Sequence, residues 1–130
     1  MTHEDFLNDM YCFYSMNPHM RAVDNKTDAC FYRQKCEDGT IKKCAIGRHI
    51  PDDTYTESIE ARGVDYLSRT GILDELVPSL SKIKMRFLRR VQMFHDDSDF
   101  WLPHLIDMRI TEYHELLAEA KFLDNNESTR

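Results

Sequence analysis

The chain reads as an α+β fold in which one β-hairpin, open to growth into a small antiparallel sheet, packs against three main α-helices, the last two forming an antiparallel pair. Three observations predict it. Asp38-Gly39 lies between two stretches of strand-favouring residues and supplies the positive φ angles of a two-residue hairpin turn. Apolar residues recur at helical spacing near the start, after Pro78 and again after Ser98. At 130 residues, with 42% hydrophobic and 11% aromatic side chains, the chain has the size and composition that bury a single core.

Taken in order, Thr2 can cap a first helix running to about Met16, with Phe6, Met10, Phe13 and Tyr14 at helical spacing and Leu7 and Tyr11 widening the same side. Asn17-Pro18 ends it, and a polar loop follows to Asp28. Strands are predicted over 29–35 and 41–46, with a third strand open near Ile50. Gly47 and Pro51 punctuate the exit, Asp52 or Asp53 can cap a turn carrying Tyr55, and Gly63 and Gly71 bracket a brief helix containing Val64, Tyr66 and Leu67.

Beyond Pro78, Leu80, Ile83, Phe87, Val91 and Phe94 form the apolar side of an amphipathic helix whose other face carries Lys82, Lys84, Arg86, Arg89 and Arg90. That basic stripe reads as a solvated face. Ser98 or Asp99 can cap the last helix, which runs to about Phe122. Pro103 falls in its first turn, and Trp101, Leu105, Met108 and then Ile106, Ile110, Tyr113 and Leu117 line its apolar stripe. The short Asp96-Asp97-Ser98 link makes the last two helices antiparallel. Residues 1–123 are expected to form one domain and 124–130 a frayed tail.

A net charge of −6 argues against a nucleic-acid binder, which needs a basic face to displace counterions from phosphates, and argues for solubility or for a basic partner. No apolar run approaches the length of a membrane span, and Met1-Thr2-His3-Glu4-Asp5 lacks the charge and apolar pattern of a secretory signal, so a cytoplasmic location is expected. The four cysteines are then expected as reduced thiols, with Cys12 a small buried hydrophobe.

Around the hairpin, Cys30, Tyr32, Arg33, Gly39, Cys44, Ala45, Gly47, Ile50, Pro51, Asp52 and Tyr55, followed by Glu60 and Gly63, spell Cys-x-Tyr-Arg, a turn with Gly, Cys-Ala-x-Gly and Ile-Pro-Asp-x-x-Tyr. In this the chain resembles a family of small uncharacterised proteins of bacterial genomes and phages, the likeness extending weakly through His95-Asp96 and Trp101. Glu60 and Gly63 stand apart here where the family pattern has Glu and Gly adjacent. The resemblance implies kinship and a phage-type setting; it implies no established activity.

Cys30, Cys36, Cys44 and His49 follow one another at spacings close to those of zinc fingers, but six residues of strand span about 20 Å, too far for Cys30 and Cys36 to share one ion. Pairing Glu37 with Thr40 sets Cys30 opposite Gly47 and Arg33 opposite Cys44, which places Cys30, Tyr32, Cys36, Ile41 and Ala45 on one face and Phe31, Arg33, Cys44 and Ile46 on the other. No metal or cofactor is expected. His95-Asp96 reads as a polar helix end with a cationic histidine, and no phosphate loop or nucleophile motif is present.

The remaining chemistry is a corner of Tyr32, Arg33, Arg48, His49, Asp52 and Tyr55. Planar donors beside rigid aromatic surfaces suit recognition of a protein or a nucleotide; the competing reading is that Arg33 ties the hairpin to Asp52 or Glu60. Two functions follow from this. The first is a small phage-type accessory protein that binds a host macromolecule or defence component without catalysis. The alternative is a protein that binds or sequesters a nucleotide, or an enzyme, at Arg33, Arg48, His49 and Tyr55. An exposed hairpin edge leaves a dimer open.

Overall fold

The computed structural model describes residues 1–23 and 31–126. Cys30, the predicted strand start at 29–30 and most of the predicted polar loop lie outside the described residues. The chain is an α+β fold. Its three long helices are α1 (His3–Met16), α4 (Met85–Asp96) and α5 (Ile106–Asn125); between α1 and α4 come β1 (Arg33–Lys35), β2 (Ile41–Lys43) and two short helices, α2 (Val64–Arg69) and α3 (Ile72–Leu76).

Helix α1 begins in a capping box: the Thr2 hydroxyl accepts from the Asp5 amide and the Asp5 carboxylate accepts from the Thr2 amide. Its buried face, Phe6, Leu7, Met10 and Tyr14, packs with Phe87, Leu88, Val91 and Phe94 of α4 and with Leu116, Ala120 and Leu123 of α5. His3 meets Asp124 and Tyr11 stacks on Tyr113, so α1 and α5 run antiparallel. Arg86 reaches Glu119, Arg90 reaches Glu119 and Glu112, and Phe94 meets Phe100, so α4 and α5 also run antiparallel. Much of the basic stripe on α4 is therefore spent on α5, while Arg89 pairs with Asp65 of α2.

Several boundaries and faces differ from expectation. Residues 98–101 and 103–105 form two 3₁₀ turns, so α5 starts at Ile106 and Pro103 sits in the second turn. The phase of α5 is set by Leu116, Ala120 and Leu123, which leaves Ile106, Met108 and Ile110 exposed on its first turns. Cys12 is exposed as well, because the buried side of α1 passes through Met10 and Tyr14. Asp124, expected in a frayed tail, lies within α5 and is bonded to His3.

The hairpin is present but one residue out of the expected register: Arg33 pairs with Lys43 and Lys35 with Ile41. The Cys36 amide donates to the Thr40 carbonyl and the Gly39 amide to the Cys36 carbonyl, with Gly39 at φ +88°. The reversal thus takes three residues, with glycine in the left-handed position, rather than two. The slip puts Arg33, Lys35, Ile41 and Lys43 on one face, with Ile41 exposed. Strand β2 stops at Lys43, and Cys44, Ala45 and Ile46 turn inward into the core. Ile50 follows a 3₁₀ turn over Gly47–His49, and the described residues hold two strands without a third beside it.

Candidate functional site

The predicted corner separates into two groups on either side of the Gly47–His49 turn. On the first, the Glu60 carboxylate accepts the backbone amides of Tyr32 and Arg33, each at 2.9 Å, and the Tyr55 hydroxyl at 2.5 Å. Arg33 donates to the Ile50 carbonyl at 2.9 Å, pairs with Asp52 at 2.7 Å and lies over the Tyr55 ring, its guanidinium carbon 4.4 Å from the centroid. The Tyr32 hydroxyl donates to the Arg62 carbonyl at 2.9 Å. Burial and the neighbouring Glu60 carboxylate push the Tyr55 phenol up to about 12.

The second group joins the turn to α1. Arg48 forks onto Asp9 at 3.0 and 3.1 Å and lies over Phe13 at 3.9 Å, while His49 Nε2 stands 3.3 Å from the same carboxylate. The His49 ring and the Arg48 fork outweigh burial and hold the Asp9 carboxyl well below the ordinary carboxylate range. Between the groups, Gly47 is pressed against Tyr32: a Cβ there would fall inside the Tyr32 carbonyl. The signature residues Tyr32, Arg33, Gly47, Asp52, Tyr55 and Glu60 are thus one another's partners, and they latch the hairpin to the segment that follows it.

Sequence reasoning named Arg33, Asp52 and Glu60 as one set of partners; it did not find Asp9, which lies 39 positions from Arg48. His95 also differs from expectation. It is fully buried rather than a cationic helix end, and burial pushes its pKa down against the pull of Asp96. Its Nδ1 is 2.7 Å from the Asp96 carboxylate, so the proton sits there, and Nε2 has no hydrogen-bond partner among the described residues. Arg21 secures the helix end from outside by donating to the His95 carbonyl at 2.7 Å and to the Ser98 hydroxyl at 3.1 Å.

Two surface features lie outside the predicted corner. Because α1 and α4 both run against α5, their C-terminal ends lie toward the start of α5, and this end of the molecule carries Met16 (82% exposed), Met93 (68%) and the exposed Leu102, Ile106 (45%) and Ile110, with Met108 exposed on the other side of α5. A groove of about 550 Å³ opens between Met93, Phe94 and Phe100, rimmed by Arg90, Asp96, Asp97 and Glu112. The second feature is a cleft of about 390 Å³ between residues 54–62 and the α2–α3 pair. No sequence signal marked either one, since each is assembled from segments far apart in the chain.

Among the described residues no three His, Cys, Asp or Glu side chains are placed to hold a metal ion, and no helix is long and apolar enough to cross a membrane. No family model matches the chain, and no curated protein and no solved structure is significantly similar to it.

Proposed function

We propose that this chain is a non-catalytic binding protein that grips a protein partner with the apolar end of its helical bundle. The observation that carries the reading is the exposure of Met16, Met93, Leu102, Ile106 and Ile110, all at or near helix ends, in a molecule whose core is already closed by Phe6, Phe87, Phe94 and Leu116. Apolar surface left out of a complete core marks a contact face, and methionine side chains adapt to the surface they meet. The rim of the groove at Met93 carries three carboxylates and one arginine, and the chain as a whole is acidic. The matching surface is therefore an apolar projection ringed by Lys and Arg.

In the phage-type setting that the motif resemblance implies, and at the cytoplasmic location expected from the sequence, the partner is a host or defence protein. The other expected reading, a nucleotide at Arg33, Arg48, His49 and Tyr55, draws no support from the geometry, because both arginines are already paired to carboxylates. The test is capture from a bacterial lysate with the native chain, with Met93→Glu and with Ile110→Glu. Both substituted side chains are exposed, so melting temperatures should not move. A partner recovered by the native chain and lost with both variants supports the reading; recovery indifferent to both overturns it.

A further inference from the structure

We infer that the cleft between residues 54–62 and the α2–α3 pair is a second binding site, for a phosphate ester of a flat and largely apolar group, a ligand of the size and chemistry of a nucleoside monophosphate. The cleft encloses about 390 Å³, within the range of small-molecule sites. Its floor is the buried apolar set Ile59, Leu67 and Leu76, with Ile72 at the lip. Such a floor takes the body of a ligand, and the polar groups around it decide which kind.

The cationic side is distinctive. Arg62 lies over the Tyr66 ring at 4.5 Å, and Arg69 approaches the same ring at 6.0 Å. Neither has a carboxylate within ion-pair distance among the described residues, whereas Arg33, Arg48, Arg89 and Arg90 each do. In a chain of net charge −6, the Arg62 guanidinium lining the cleft without a carboxylate partner, with Arg69 adding positive charge near the same ring from outside the cleft, creates a local demand for an anion. The hydroxyls of Thr56 and Ser58, 2.9 Å apart, line the same cleft and can turn their hydrogens to phosphate oxygens. Glu75 lines it from α3 without a cation against it and offers an acceptor to a sugar hydroxyl or an exocyclic amine.

The walls are held in place before any ligand arrives. The Thr54 hydroxyl is spent on the Pro51 and Leu76 carbonyls, the Tyr32 hydroxyl anchors the backbone at Arg62, and Gly71 at φ +80° fixes the corner between α2 and α3. A preformed site of this kind loses little affinity to ordering.

The test is a titration of the ¹⁵N-labelled chain with adenosine 5′-monophosphate, adenosine and inorganic phosphate, followed by amide shifts. Saturable shifts confined to residues 54–76, at least tenfold weaker for adenosine and for phosphate alone, are expected. Arg62→Ala should weaken binding tenfold or more, while Arg89→Ala and Ile110→Glu leave it unchanged; melting curves check that each variant is folded. Absence of saturation at millimolar nucleotide overturns the proposal. So does phosphate binding as tightly as the nucleotide, or binding by a folded Arg62→Ala variant at native strength. Because Ile110→Glu reports on the apolar end and Arg62→Ala on the cleft, the two readings stand or fall separately.

Discussion

Glu60 does at β1 what a neighbouring strand would do. Its two oxygens take the adjacent amides of Tyr32 and Arg33, and one of them also takes the Tyr55 hydroxyl. Charge-assisted bonds of this type contribute about 1.5–3 kcal/mol each when half-buried, so Glu60→Gln, which turns one acceptor oxygen into a donor facing donors, is expected to cost about 2–3 kcal/mol in denaturant unfolding. The same arrangement has an alkaline signature. The folded Tyr55 phenol, at about 12, lies above the value near 10 of an unfolded tyrosine. The stabilisation is therefore complete below pH 10 and is lost as pH rises toward 12. Burial pushes the Tyr113 phenol up as well, so ultraviolet titration should show a late-ionising tyrosine fraction, part of which moves back toward 10 in Glu60→Gln; a titration identical in the two proteins would count against the bond.

Among the elements, the hairpin and the last helix show what sequence reading can reach. Asp38-Gly39 announced a reversal, but Asp-Gly fits both a two-residue and a three-residue loop, and the choice between them moved the register by one. The periodicity of the last helix was equally plain. What periodicity lacks is a rule for choosing between two apolar faces, and Ile106 and Ile110 lie on the one the bundle does not cover. Local caps were readable, as Thr2 shows, because their chemistry spans a few residues. The Arg33–Asp52 pair, 19 positions apart, was readable because both residues belong to the hairpin and its exit corner, while Arg48–Asp9 required the fold. At this scale Gly47 is the decisive position. Gly47→Ala pushes a methyl into the Tyr32 carbonyl and should cost more than about 3 kcal/mol or prevent folding, whereas Gly39→Ala, strained in its φ but in open space, should cost about 1–2 kcal/mol. Equal losses for the two in thermal unfolding would refute the close approach.

For the molecule as a whole, three helix ends are tied through His3. Its Nδ1 bonds Asp124 at 2.8 Å, its Nε2 accepts the Lys84 amide at 3.0 Å, and Asp124 also accepts the amides of His3 and Glu4. One carboxylate near the end of α5 thereby neutralises the start of α1. Burial opposes the ionisation of Asp124, but these amides and the His3 ring outweigh it and hold its carboxyl below the usual range. A depressed carboxylate stabilises at pH values above its unfolded value near 4, and the benefit disappears as acid protonates the folded form. Asp124→Asn is expected to lose about 1–2 kcal/mol at neutral pH and to show a shallower decline of stability below pH 4, both read from denaturation across a pH series.

Among the described residues, each side of the hairpin is occupied at one point. A carboxylate occupies the amides at Tyr32 and Arg33, and the segment at Arg21 bridges Lys43 on the other side. A strand of another copy pairing along Arg33 or along Lys43 would have to displace one of these contacts first. A change on the outer surface of the helices leaves these two edge contacts untouched, whereas a change at Glu60 or Arg21 exposes a length of strand backbone.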